Sequence, residues 1–174
     1  MKNLGLWQFA GFVIATALGT VLHFLFDWTG SLAVAPFSAV NESTWEHMKI
    51  LFFPLLVFAM VQYQFFHADF AGFWWVKLIG TAVGVVGIPV LFYTFNGAFF
   101  ATPDWLNIAF FFLACALGFL VEYLLFRASF SLAFGWIAFA VILAVGVLFG
   151  IFTFLTPRLP LFQDPITCSF GVGC

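Results

Sequence analysis

The sequence predicts an all-α membrane protein, a bundle of about five transmembrane helices with a short ordered C-terminal tail. Hydrophobic residues make up 65% of the chain and charged residues 7%, whereas a soluble domain has about 45–50% and about 25%. The mean hydropathy is +1.17. Five apolar segments each approach the ~20 residues that cross the hydrocarbon core as a helix. Because 174 residues leave room for little else, we expect one transmembrane domain over residues 1–174.

The expected spans follow from the apolar segments. They cover residues 4–25, 49–66, 72–93, 105–126 and 131–156, and the tail covers residues 157–174. They should be helices rather than strands, because a helix satisfies its own backbone hydrogen bonds within one segment in lipid. The first segment is too long for the ~7–15-residue core of a signal peptide, so we expect it to be retained.

Prolines and glycines mark the second and third spans. Pro54 and Pro89 fall inside them, where a kink is tolerated because neighbouring helices satisfy the freed carbonyl groups. Gly80, Gly84 and Gly87 lie on one side of the third span, at a spacing that lets two helices approach closely. This side is therefore predicted to pack against another helix.

The fourth span contains one acidic residue near its end. Glu122 is followed five residues later by Arg127, and long charged side chains near a helix end often reach the membrane interface. We interpret the two as an interfacial pair; the alternative is that Glu122 is the buried acid of a proton relay. Cys115, earlier in the span, is expected to behave as a small hydrophobic residue.

The basic residues indicate the orientation in the cell membrane. Lys2, Lys77 and Arg127 fall on one side of five spans, and Lys49 and Arg158 fall on the other. Because basic residues favour the cytoplasm, we expect a cytoplasmic N-terminus and an extracytoplasmic tail. The lipid bilayer is the expected partner, with a homo-oligomer if the protein is a carrier. A net charge of -2 without a basic run argues against a nucleic-acid partner.

The most polar stretch, residues 40–49, combines two carboxylates, an imidazole and an ammonium group. An odd number of spans places it on the same membrane face as the tail. Glu42 and Glu46 are four residues apart in this stretch, and His23 and Asp27 are four apart at the end of the first span. Because residues i and i+4 share one helical face, both pairs are expected to meet at this face.

This combination of groups suits a divalent metal ion. Imidazole and carboxylate together are a common ligand set for zinc, and also for iron or manganese. We expect His23, Asp27, Glu42 and Glu46 as ligands, and Glu46 and His47 as catalytic candidates, with His47 a general base or a support for a ligand. An open coordination position would activate a water molecule. Without a metal, the same groups would relay protons or bind a cationic solute.

Further residues at this face are candidates for substrate contact or for a covalent link. The expected substrate-binding residues are Asn41, Trp45, Lys49, Arg158 and Asp164. Cys168 and Cys174 lie close together in the tail, where they form either a disulfide, in an oxidising compartment, or free thiols.

Helix capping explains part of the polar stretch without any function. Either Asn41 is an N-cap, with Val40 and Trp45 as a hydrophobic staple, or Ser43 and Glu46 form a capping box. Neither arrangement explains the histidines or the presence of two glutamates. The polar stretch is therefore interpreted either as a functional site or as a structural plug.

Four strings of the chain occur in a characteristic order: His23-x-x-x-Asp27, the Asn-Glu-Ser-x-Trp-Glu-His run of residues 41–47, Phe53-Pro54, and Pro-Leu-Phe-x-Asp-Pro of residues 160–165. Together they resemble a small family of prokaryotic polytopic membrane proteins catalogued as a domain of unknown function. The resemblance spans nearly the whole chain. It implies an integral membrane protein with several helices, and it implies no activity.

Three function classes follow from these observations. The first is a divalent-metal-dependent membrane hydrolase that acts on a lipid-like or amphipathic substrate. The second is a small cation- or proton-coupled transporter, and the third is a non-catalytic scaffold or accessory subunit whose polar cluster fixes the tail. Whether the protein is an enzyme stays open on sequence alone.

Overall fold

The computed structural model describes residues 3–99 and 103–172, with the backbone alone for Asp104. It confirms the all-α prediction, since the described residues form five long helices and no strand. The helices are α1 (Leu4–Thr29), α2 (Thr44–Phe66), α3 (Phe73–Phe99), α4 (Asp104–Arg127) and α5 (Gly135–Phe154). A 3₁₀ turn, Pro160–Phe162, follows in the tail. Each of the five is long and apolar enough to cross a membrane.

The first four helices pack in a ring, α1 against α2, α2 against α3, α3 against α4, and α4 against α1. Helix α5 packs on the outside of this ring, against α3 and α2. We call the end where α1 and α5 end and α2 begins the tail face, and the other end the opposite face. The first loop and the tail therefore meet at one end of the bundle, as five spans require.

Helix α2 is the most buried of the five. Of its most apolar 18-residue window, 56% is buried, against 22% for the corresponding windows of α1 and α5. The other helices expose large apolar side chains to the outside, among them Phe9, Val86 and Val147. Such a surface is consistent with a lipid bilayer around the bundle.

Helix α2 begins at Thr44, five residues before the predicted start of the second span. Ser43 is its N-cap and accepts a hydrogen bond from Glu46 N at 3.4 Å, so the interpretation of Asn41 as the N-cap is wrong. Asn41 Oδ1 instead accepts from Ser43 N at 2.9 Å. The Glu46 side chain does not complete a capping box, because it accepts from Val40 N at 3.0 Å.

Helices α1 and α3 continue beyond the predicted ends of their spans, to Thr29 and Phe99. Gly30 caps the C-terminal end of α1, adopts a left-handed conformation with φ 60°, and donates its N–H to Phe26 O. A glycine adopts this conformation without the strain that a Cβ adds. The extension carries the last turn of α1 past the first turn of α2, which decides which side chains meet at the tail face.

Candidate metal centre

Three side chains with metal-ligating atoms meet at the tail face. His23 Nε2 and His47 Nε2 each lie 3.6 Å from Glu42 Oε2, and the three ligand atoms lie within 4.8 Å of one another. Two ligand atoms of a tetrahedral zinc site are about 3.4 Å apart, given bonds of ~2.0–2.1 Å. Small side-chain rotations would therefore bring all three to a common ion. No other three such side chains in the described part of the chain have this spacing.

The start of α2 fixes the orientation of His47 in this His–Glu–His group. His47 lies in the first turn of α2, and its Nδ1 is 2.9 Å from Ser43 O. A carbonyl oxygen only accepts, so Nδ1 carries the proton and donates it to Ser43 O. In a neutral imidazole this leaves the Nε2 lone pair free, and Nε2 is the atom nearest Glu42.

The tail holds the loop that carries Glu42. Asp164 Oδ2 accepts from Glu42 N at 3.3 Å, while Asp164 Oδ1 accepts from Ile166 N at 2.7 Å. Nearby, Asn41 Nδ2 donates to Gly171 O at 3.1 Å. These bonds position the Glu42 backbone beside the end of α1, and so beside His23.

The carboxylates of Glu42 and Asp164 are held in the ionised form. Contact with the His23 imidazole lowers the pKa of the Glu42 carboxyl below its usual value. Burial acts to raise the pKa of Asp164, but N–H donors from Thr167, Ile166 and Glu42 outweigh it and hold that pKa below its usual value. The negative charge of the two groups favours a bound cation.

Glu46 and Lys49 form a buried ion pair outside the His–Glu–His group. Glu46 Oε2 lies 2.5 Å from Lys49 Nζ, and the side chains are 2% and 0% exposed. Lys49 Nζ also donates to Ala35 O at 2.8 Å and to Thr153 Oγ1 at 2.9 Å. The structure therefore does not place Glu46 among the ligand atoms, and it buries Lys49 away from any substrate.

Asp27 also lies outside the group. It is exposed on the last turns of α1, because α1 continues to Thr29 and carries Asp27 beyond the start of α2. It interacts with His23 electrostatically only. The expected pairing of Glu42 with Glu46 fails for a related reason, since Glu42 precedes the N-cap and helical periodicity does not reach it.

The other expected substrate-binding residues have different surroundings. Trp45 is half-buried and packs on Phe162 of the tail, with ring centroids 4.6 Å apart. Asn41 and Asp164 are engaged in the bonds between loop and tail. Arg158 is exposed. Of these four residues, Arg158 alone has a side chain free to reach a substrate from solvent.

The cysteines divide between core and tail. Cys115 is fully buried in α4, and Cys168 is exposed. Cys174 lies outside the described residues, so the Cys168–Cys174 disulfide stays a prediction.

An aromatic rim beside the group was not predicted from the sequence. The Phe24 ring lies 4.8 Å from the His23 ring and stacks on Trp28 at 5.9 Å. These two aromatic side chains are 44% and 67% exposed. The signal in the sequence is their spacing of four residues, which places both on one face of α1.

The interpretation of Glu122 and Arg127 as an interfacial pair is wrong. Glu122 Oε2 pairs with Lys77 Nζ at 2.5 Å, and both side chains are 1% exposed. Arg127 Nη1 instead donates to Tyr123 Oη at 3.3 Å. Helix α3 begins at Phe73, so Lys77 lies one turn inside the bundle rather than in the preceding loop.

The chain belongs to the family described as a family of unknown function (DUF6512), which matches residues 1–172. No curated protein and no solved structure matches the chain. This membership agrees with the resemblance to a family of unknown function that the sequence motifs indicated.

Proposed function

We propose that this protein binds a divalent transition-metal ion, with zinc the first candidate, through His23, Glu42 and His47. We further propose that it uses the ion for hydrolysis at the tail face of the membrane. The observation that carries the proposal is the convergence of two imidazoles and one ionised carboxylate within 4.8 Å. Two histidines and one glutamate are an established ligand set of hydrolytic zinc.

The exposure of the group favours a catalytic over a structural ion. The side chains of His23, Glu42 and His47 are 24%, 43% and 25% exposed. Structural zinc sites use four protein ligands, whereas catalytic sites keep a position for water or substrate. Three ligands and an open side leave such a position, and a bound metal lowers the pKa of its water to about 7.

The surroundings of the group favour an amphipathic or lipid-like substrate. The exposed rings of Phe24 and Trp28 lie next to His23 at the end of α1. Aromatic side chains at this depth pack on the boundary between lipid head groups and chains. A substrate whose polar bond reaches the ion would therefore keep its apolar part against these rings.

Metal content is the decisive measurement. Protein purified without chelators or a histidine tag is expected to carry close to one zinc per chain by elemental analysis. His23→Ala, His47→Ala and Glu42→Gln are each expected to lower zinc affinity by more than the ~10–100-fold typical of a lost outer-shell partner. His67→Ala is the matched control, because His67 is exposed at the opposite face and its loss should leave zinc binding unchanged.

The outcomes separate binding from catalysis. If the wild type binds neither zinc, manganese nor iron, or if His67→Ala weakens binding as much as His23→Ala, the metal site does not exist. Hydrolysis is tested with acyl esters and phosphodiesters of increasing chain length, with and without metal. If the protein binds metal stoichiometrically but hydrolyses neither series in a metal-dependent way, the proposed hydrolase activity is rejected and the proposed metal site is retained.

A further inference from the structure

A second set of buried polar side chains lies near the opposite face. Gln8, Gln62, Lys77 and Glu122 come one from each helix of the four-helix ring, and they are 0–5% exposed. Each lies four or five residues inside its helix end at the opposite face, a depth of about 6–8 Å at 1.5 Å per residue. The four residues therefore form one polar layer across the inside of the ring.

Lys77 is short of hydrogen-bond acceptors in this layer. An ammonium group has three N–H donors, and the described residues offer Lys77 one acceptor, Glu122 Oε2. Its other neighbours are four phenyl rings with centroids 5.6–5.9 Å from Nζ, those of Phe58, Phe73, Phe119 and Phe126. Lys49, by contrast, has three acceptors. A buried ion pair offsets its desolvation only when its remaining donors are also satisfied.

Two amides in the layer are also unsatisfied. Both side-chain polar atoms of Gln8 and of Gln62 are buried without a hydrogen-bond partner in the described residues. The Gln8 amide lies near the Glu122 carboxylate, but not in hydrogen-bonding geometry. Native proteins rarely leave such groups unpaired in the interior, and in lipid no solvent compensates them.

The unsatisfied atoms include both donors and acceptors. The ammonium and amide N–H groups need acceptors, and the two amide oxygens need donors. Water supplies both and typically makes about three hydrogen bonds when it is buried. An anion or a metal ion would satisfy one kind of group and repel the other.

A route from the aqueous phase ends close to the layer. A cavity of about 280 Å³ at the opposite face is lined by Asn3, Leu4, Gly5, Tyr123 and Arg127. Leu4 lies one helical turn before Gln8, and Tyr123 directly follows Glu122. The wall between cavity and layer is therefore about one turn of α1 and α4 thick, and buried Leu4 is part of it.

We propose that the polar layer is an internal water-binding site, supplied from this cavity, which keeps the Lys77–Glu122 pair in proton exchange with the aqueous phase at the opposite face. The site is separate from the His–Glu–His group, which lies at the other end of the bundle. Water bound in the layer would lower the energetic cost of burying the charges of Lys77 and Glu122 inside a membrane protein.

Hydroxyl-radical footprinting of the wild-type protein in lipid nanodiscs tests this directly. X-ray pulses split bound water, and the radicals oxidise the nearest side chains, which mass spectrometry locates. We expect Phe73 and Phe126, which are 2% and 0% exposed, to be oxidised several-fold faster than Phe52 and Phe149, which are each 1% exposed in the apolar core. Equal, background-level oxidation of all four would show that the layer is dry and overturn the proposal.

Two conservative variants provide an independent test. Gln8→Leu and Gln62→Leu replace each glutamine by an apolar residue of similar size and remove the groups that would hold water. We expect both to reduce oxidation of Phe73 and Phe126 without raising the melting temperature. A melting temperature several degrees above the wild type would mean that dry, unpaired amides had been removed, and the proposal would fail.

Discussion

At the scale of single residues, four of the twelve charged residues of this protein form buried ion pairs inside the bundle. Lys49 and Lys77, two of the five basic residues of the chain, are 0% and 1% exposed and pair with Glu46 and Glu122. Lys49 has three oxygen acceptors, so it joins the first loop, α2 and α5 as a closed structural contact. Lys77 has a single oxygen acceptor among the described residues. We therefore assign the two pairs different roles, a structural contact for Glu46–Lys49 and part of a water-binding layer for Lys77–Glu122.

The Glu46–Lys49 pair is expected to contribute strongly to the free energy of unfolding. Glu46→Gln leaves a buried ammonium without its counter-charge, and breaking a buried pair from one side costs about 3–5 kcal/mol. Glu42→Gln is the matched control, since the Glu42 side chain is 43% exposed and its loss in metal-free protein should cost less than ~1 kcal/mol. The free energy of unfolding is measured by tryptophan fluorescence in metal-free detergent solution.

The same pair of variants tests which glutamate is a ligand. Glu46→Gln/Lys49→Met removes both buried charges and should recover most of the stability lost in Glu46→Gln. This double variant, when folded, should still bind zinc, because Glu46 lies outside the His–Glu–His group. Loss of zinc with full stability in Glu46→Gln would instead return Glu46 to the ligand set expected from sequence.

Much of the candidate site was predictable at this scale, and the rest depended on where α2 begins. His23, Glu42 and His47 were all identified from the sequence as groups of one polar cluster. Glu46 was added by an i, i+4 rule that holds only within a helix, and Ser43, the N-cap, separates it from Glu42. No local pattern specifies that the carboxylate of Asp164 would accept from the Glu42 backbone, since that bond joins residues 122 positions apart.

At the scale of helices, the most extensive packing is between α3 and α4. The side of α3 that carries Gly80, Gly84 and Gly87 faces α4, as the small-residue spacing predicted. A Cβ on Gly84 would lie 3.3 Å from Ala114 O, and a Cβ on Gly118 of α4 would lie 2.8 Å from Gly80 O. This contact brings Lys77 and Glu122 onto facing turns. The part of Gly118 in it was not predicted, because Gly118 is the only glycine of α4 and no glycine repeat marks it.

Gly118→Ala is expected to separate α3 from α4. The new methyl group meets a backbone oxygen that cannot rotate away, and such overpacking costs about 1–3 kcal/mol, more than the ~1 kcal/mol that alanine gains in helix propensity. Gly87→Ala is the control, because its Cβ would meet the Ala114 side chain at an ordinary 3.4 Å. Denaturant unfolding should show Gly118→Ala destabilised and Gly87→Ala unchanged or stabilised; equal stabilities would contradict this packing.

The helix count followed from composition and length, whereas the helix ends did not. An apolar run of span length predicts a helix. It does not predict where the helix ends when the flanking residues are also apolar. Asn96-Gly97 is typical of a turn, yet helix α3 continues through both residues to Phe99, and Asn96 Nδ2 donates to Phe92 O within the helix at 2.9 Å. The start of α2 was misplaced because its first turn consists of polar residues that a hydropathy criterion assigns to a loop.

At the scale of the whole molecule, the two ends of the bundle are chemically different. The tail face carries the partly exposed His–Glu–His group, and the opposite end carries the enclosed polar layer. Burial of Lys49 and Lys77 also changes the charge argument for orientation, since neither is a loop residue. What remains is Lys2, outside the described residues, and exposed Arg127 at the opposite end, against exposed Arg158 in the tail.

This remaining bias still predicts a cytoplasmic opposite face and an extracytoplasmic tail, and the native cysteines test it. Cys168 is exposed in the tail, whereas Cys115 is buried inside α4. A membrane-impermeant maleimide should therefore label intact cells that express the protein, after mild reduction to open any Cys168–Cys174 bridge. Labelling should vanish in Cys168→Ser/Cys174→Ser. Labelling that requires permeabilised cells would reverse the orientation, and would place the proposed hydrolytic site in the cytoplasm and the water entrance outside.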